Sequence, residues 1–180
     1  MKKIILLAII VLGSFSNLNA EEIKRIIVGN KDAKITIIAF ESLTCSHCAN
    51  FHKNVYPELK KEYLDTGLAK IEFRHFPLDI AAFNASKVAQ CKNDGNADIL
   101  ESLYANQQKW VKGSSVKEAN ENLQKFLTSE GFDINFEECI NNQEIEDFVL
   151  NDRIDGAKNF KVNSTPTIVI NNKKFEKTLT

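Results

Sequence analysis

Cys45-Ser46-His47-Cys48 is the segment of this chain best equipped for chemistry. Two cysteines three apart can close a small disulfide ring, and opening and closing that ring is thiol–disulfide exchange. The thiolate is the attacking species, so reactivity depends on how strongly one thiol is acidified. A cysteine that caps a helix holds its sulfur at the positive end of the helix dipole, beside free backbone N–H groups. Cys45 is therefore expected to be the exposed nucleophile, and Cys48, one turn further on, the buried resolving thiol. His47 can donate to the Cys45 thiolate or stabilise its charge. Stabilising the reduced form makes the disulfide a stronger oxidant.

Other residues join this pair as candidates. Glu41, four residues before Cys45, is either a partly buried acid that handles protons during exchange or a loop carboxylate in solvent. His52 follows Cys48 at i+4 on the same helical face, which opens a zinc-site reading. No second CxxC or HxxxH supplies the other half of such a site, so no metal is assigned. Haem attachment fails because Ala49 stands where a CxxCH motif needs histidine. His52 reads as a helix-surface or packing residue and His75 as structural. Thr165-Pro166 precedes an apolar strand, and proline there is ordinarily trans. Cys91 and Cys139 are either two buried thiols or a disulfide. Joined, they would close a loop worth about 4 kcal/mol in the chain-entropy model.

The elements that must position these groups follow from periodicity. Ile23 to Val28 is a short apolar stretch that ends at Gly29-Asn30. Ile35 to Phe40 is β-branched and almost wholly apolar, as a strand covered on both faces would be. Phe51, Val55, Leu59 and Tyr63 recur at helical spacing and predict one helix to about Leu64. Ala69 to Phe76 predicts a second strand, stopped by Pro77. A parallel strand–helix–strand unit with the CxxC opening its helix is the natural construction. Helical periodicity then dominates residues 81–160, ending in a longer helix from about Gln143 to Phe160. Thr167 to Ile170 returns to strand, and Lys173 to Glu176 pairs back as a hairpin across Asn171-Asn172.

The first twenty residues have the three-part layout of a secretory signal: Lys2-Lys3, the apolar run Ile4 to Leu12, then small residues before Ala20. Removing them leaves a formal charge of −3, and no basic stripe suggests a nucleic-acid partner. Export makes disulfides plausible. The division expected is residues 1–20 as signal, 21–80 and 161–180 as the two parts of one domain, and 81–160 as a helical insertion.

The stretch from Phe40 to His52, together with Phe76-Pro77-Leu78-Asp79 and Asn163-Ser164-Thr165-Pro166-Thr167, resembles the DsbA family of thiol:disulfide oxidoreductases. The likeness covers most of residues 25–176. It implies an α/β thioredoxin fold with an inserted helical domain, and a cis Thr165-Pro166 packed against Cys45. Extended substrate segments would bind beside Thr165 and Pro166. The resemblance further implies oxidation of thiols in exported periplasmic proteins, no cofactor, and a membrane re-oxidising partner of the DsbB kind. A reductase or isomerase on the same fold is the neighbouring reading, and a metal-binding thioredoxin-like module the more distant one. Pairs placed like Cys91 and Cys139 occur in parts of the family. Three departures stand out. Ser46 replaces the usual proline. Ala39 replaces the usual acid six before the first cysteine, with Glu41 two residues later. The chain also stops at Thr180, short of the final helix expected of the fold.

Overall fold

The computed structural model describes residues 22–177, so the secretory-signal expectation lies outside the described residues. They form a five-stranded mixed sheet in the order β1-β3-β2-β4-β5. The strands are β1 (Ile26–Gly29), β2 (Ile35–Glu41), β3 (Ala69–His75), β4 (Thr167–Ile170) and β5 (Lys173–Lys174). β2 and β3 run parallel, whereas β1, β4 and β5 pair antiparallel with their neighbours. The closing hairpin is shorter than the sequence predicts. Asn171 and Asn172 both take positive φ in its tight turn, and only Lys173 and Lys174 pair back.

The connection from β2 to β3 carries α1 (Ser46–Asn54), α2 (Tyr56–Leu59) and a π turn over Lys60–Leu64. The single helix expected there is broken, and proline explains the break. Pro57 has no N–H to offer the carbonyl of Lys53, so the chain kinks at Val55. The π turn closes with Asp65 N–H on Lys60 O at 2.8 Å, one residue wider than an α turn. That extra residue advances the apolar stripe by one position. Leu64 is buried and Tyr63 stands about half exposed.

The remaining helices are α3 (Ile80–Gln90), α4 (Asp98–Ala105), α5 (Gln107–Trp110), α6 (Val116–Ser129), α7 (Phe136–Asn141) and α8 (Gln143–Asn159). One sheet face presents Ile37, Ala39, Ile71 and Phe73 to a core shared with α1 and helices α3 to α7. The other face presents Ile38, Phe40 and Val169, joined by Phe76 and Val162. The periodicity groups α8 with the insertion, yet α8 reaches back onto this second face. Arg74 of β3 bonds Asp155 at 2.6 Å, and Gly156 lies directly over the Phe40 ring. The fold is a thioredoxin fold with an inserted helical domain. Among the described residues no helix is long and apolar enough to cross a membrane.

Gly156 is there because of that close approach. A Cβ at this position would stand 2.8 Å from Phe40, a fully buried ring backed by Phe160. Gly156→Ala gains about 1 kcal/mol in helix propensity. It overpacks the core at a cost of about 1–3 kcal/mol. The ring cannot retreat, so the expected result is a net loss of about 1 kcal/mol and a melting point lower by roughly 2–4 °C, read by calorimetry.

Candidate active site

Cys45 is the N-cap of α1 and has extended backbone angles. No side chain caps this helix end, so its free N–H groups face the sulfur. The result is a strongly acidified thiol, lowered from 9.0 to about 5. The largest cause is the hydrogen bond from the Cys48 thiol. Partial burial opposes it. The Thr165 side chain and the backbone N–H groups of Cys48 and His47 act in the same direction as Cys48. Cys48 is fully buried, and its thiol is pushed far up, first by burial, then by its bond to Cys45 and the charge of Glu41. One turn of helix thus holds two thiols of opposite character.

His47 sits on the exposed side of α1. What it gives the sulfur comes from its backbone N–H, and among the described contacts its ring makes no hydrogen bond to Cys45. Thr165-Pro166 is a cis peptide. The protonated Cys45 Sγ donates to the Thr165 carbonyl at 3.4 Å. The Thr165 hydroxyl is buried with no hydrogen-bond partner in the reduced, protonated arrangement, and it lies near enough to Cys45 to favour the thiolate. A half-open groove runs from His47 past Phe51 and Val55 to Pro166, Ile168 and Phe175.

Glu41 is no solvent-exposed loop residue. It ends β2, is 4% exposed, and its Oε2 lies 2.8 Å from His52 Nε2. His52 is buried as well, its ring stacked on Tyr104 at 4.0 Å between centroids. The charge of Glu41 reaches Cys48, and His52 lies one turn beyond Cys48 on α1. Among the described residues no three His, Cys, Asp or Glu side chains converge as metal ligands would. Cys91 and Cys139 form a disulfide between the end of α3 and α7, apart from this site.

Two supports were not visible in the sequence. Gln107, at the start of α5, donates its side-chain amide to Leu43 O at 2.8 Å and Cys45 O at 3.0 Å. Asp79, the N-cap of α3, accepts from Ala82 N–H and also from Thr44 Oγ1 at 2.7 Å. The helical insertion thereby grips the Leu43-Thr44-Cys45 turn from two sides.

Comparison with known proteins agrees with this geometry. A family model described as thioredoxin matches residues 21–180. The "Putative protein-disulfide oxidoreductase" of Rickettsia bellii is 29% identical over 154 residues, covering 83% of this chain and 58% of that protein. "Disulfide bond formation protein D" of Bacillus subtilis is 27% identical over 158 residues, covering 82% of this chain and 68% of that one. The crystal structure of Wolbachia pipientis alpha-DsbA1 superposes with a TM-score of 0.72 at 28% identity, covering 85% of this chain and 79% of that structure. The chain spans little more than half the length of the rickettsial relatives it matches.

Proposed function

This chain belongs to the thioredoxin family, in its DsbA-like branch, and on that footing we propose that it is a periplasmic thiol–disulfide oxidoreductase that introduces disulfides into exported proteins through Cys45 and Cys48. The observation that carries the reading is the placement of the two sulfurs: Cys45 at the uncapped start of α1, 3.4 Å from the Thr165 carbonyl, and Cys48 fully buried one turn further in, an arrangement that lowers the first thiol and raises the second. A substrate thiolate attacks Cys45 Sγ of the oxidised pair. The new bond joins substrate to Cys45, and the old bond breaks with its electron pair on Cys48. The substrate's second thiolate then attacks its own mixed-disulfide sulfur and releases Cys45 as a thiolate. Two electrons pass from the substrate dithiol to the pair. Low thiol basicity makes Cys45 a good leaving group in this last step.

Thr165 and Pro166 serve the substrate side. The Thr165 backbone lies beside the Cys45 sulfur, where an extended segment can pair with it, strand to edge. The groove mixes apolar Phe51, Val55, Ile168 and Phe175 with polar Asn50 and Asn54, which supports binding of extended segments that present both kinds of side chain. His47 assists through its backbone N–H, and Glu41 serves as proton acceptor for Cys48. A DsbB-like membrane protein would re-oxidise the pair.

A thiol near 5 lies between the roughly 7 of thioredoxin and the roughly 3.5 of DsbA. At about 30 mV per tenfold change, the potential expected is about −165 to −210 mV. Equilibration in glutathione buffers, with alkylation read by mass, measures it. A reversible two-electron titration in or above that range supports an oxidant, with Cys91–Cys139 remaining oxidised throughout. A value near about −270 mV would transfer the chain to the reductases. Isomerase action separates from oxidation by substrate: only an isomerase rescues a scrambled, fully disulfide-bonded protein.

A further inference from the structure

Glu41 raises a difficulty that its burial makes acute. Its Oε2 is bonded to His52, but Oε1 is buried with no hydrogen-bond partner among the described residues. A sealed carboxyl group can take a proton from Cys48 only once unless something returns that proton to water. An unpartnered buried carboxylate oxygen is also costly and calls for a reason.

The surroundings supply a route. His52 lies on α1 one turn beyond Cys48, and its ring meets Tyr104 of α4, Tyr56 of α2 and Phe73 of β3. An open groove between α1 and α4 is lined by His52, Tyr56, Glu101, Tyr104 and Lys53. The other titratable groups facing this point are committed elsewhere or held protonated. Tyr56 donates to Glu101 at 2.7 Å, and burial pushes its phenol up. Tyr104 directs its phenol toward the Glu41 carboxyl group, and burial together with that carboxyl group keeps it protonated. His75 is the register partner of Glu41 on β3, but its ring bonds Gln90. Histidine is the side chain that gains and loses a proton near neutrality, and its two ring nitrogens can accept on one side and release on the other.

We propose that Glu41 and His52 form a two-member proton relay joining buried Cys48 to the groove between α1 and α4. The inference rests on the reading of Cys45–Cys48 as the exchanging pair with Glu41 as its proton acceptor. When a substrate thiolate opens the disulfide, Cys48 leaves with the electron pair and takes a proton from the Glu41 carboxyl group. Glu41 regains one from His52, and His52 from water in the groove. Re-oxidation runs the protons outward: Cys48 S–H gives its proton to Glu41 as the sulfur attacks the mixed disulfide at Cys45. His52 is thus a positioning and relay residue that acts through Glu41.

The test is the closing step alone. The protein is prepared with glutathione disulfide-linked to Cys45, and glutathione release by Cys48 is followed by stopped flow across pH. Glu41→Gln and His52→Ala should each slow closure at neutral pH by at least about 10-fold. The double variant should be no slower than Glu41→Gln, since the two act in series. Imidazole should restore His52→Ala in proportion to its concentration, while pyrrole, the same shape without a basic nitrogen, should not. His52→Gln keeps a hydrogen-bonding group and cannot shuttle protons, so it should remain slow. It provides the reading should His52→Ala fold poorly. Slow Glu41→Gln beside full-speed His52 variants would overturn the relay and leave Glu41 as the acceptor. Rescue by pyrrole, or wild-type closure in His52→Gln, would also overturn it. Full-speed closure in every variant would remove Glu41 too. Absence of closure in the unaltered protein would sink the exchange reading itself.

Discussion

Alkylation of the reduced protein by iodoacetamide should follow one titration with a midpoint near pH 5, and Cys45 alone should react while the fold is intact. The size of the effect depends on pH. At pH 5 about half of Cys45 is thiolate, against roughly one part in ten thousand for a thiol titrating at 9.0. A less basic thiolate is a weaker nucleophile, by about 40–100-fold over this interval for a Brønsted slope of about 0.4–0.5. The net advantage is about 50–125-fold at pH 5 and close to none at pH 7. A comparison made only at neutral pH would therefore miss it. Buried Cys48 should stay unmodified until unfolding.

The same acidification has a thermodynamic signature with a definite sign. A folded-state pKa held below the unfolded value stabilises the reduced protein. That stabilisation is fully present above about pH 9 and is lost as pH falls through about 5. The oxidised form has no thiolate and gains nothing. Above about pH 5, reduction takes up two electrons and one proton, so the potential should fall by about 30 mV per pH unit. Below it, two protons are bound and the slope should double to about 60 mV. Cys48→Ala removes the largest cause of the shift, so it should move the alkylation midpoint upward. A midpoint that stays near 9 in the unaltered protein would refute the site's electrostatics.

How much of this could be read beforehand depends on whether a residue's role is local in sequence. The β2–turn–α1 unit is local: an apolar β-branched run, a capping cysteine and a helical stripe lie within about thirty residues, so the placement of Cys45 at the helix start and of Cys48 one turn inside it was legible. The burial of Glu41 was only half legible: with the strand predicted to end at Phe40, it reads equally as a buried acid or a solvated loop carboxylate, and the structure decides by carrying β2 through Glu41. Period two places Glu41 on the same strand face as Ile37 and Ala39, which is the face packed on Cys48. Its pairing with His52 was half legible, since i+4 spacing puts His52 on the Cys48 side of the helix but names no partner. Gln107 carries no such signal. It reaches Cys45 across 62 positions, and an isolated glutamine at a helix start has no period or motif to betray it. The π turn was hidden for a different reason. Phe51, Val55, Leu59 and Tyr63 fit an unbroken helix, and only packing against the sheet decides that Leu64 turns inward instead.

Replacing both members of the second cysteine pair, Cys91→Ala with Cys139→Ala, should be the most destabilising change that leaves the redox site untouched. The bond ties α3 to α7 across a sequence separation of 48, and it encloses α4, α5 and α6, the segment that carries Gln107. Freeing that loop restores conformational entropy to the unfolded chain worth about 4 kcal/mol. A domain of this size has a total stability of only about 5–15 kcal/mol. The melting point should drop by roughly 8–16 °C. Cys139 is fully buried, so the lost sulfur adds to the loss rather than offsetting it. The Cys45 titration separates a structural brace from a second redox pair. None of the groups that acidify Cys45 lies between Cys91 and Cys139, so its alkylation midpoint should stay near 5 in the double variant at a temperature where the variant is folded. A loss of under about 1 kcal/mol would mean that packing of α3 on α6 and α7 already holds the loop closed in the unfolded ensemble. A shifted midpoint would mean that the insertion's grip on the Leu43-Thr44-Cys45 turn depends on the bond. The brace would then belong to the chemistry as well as to the fold.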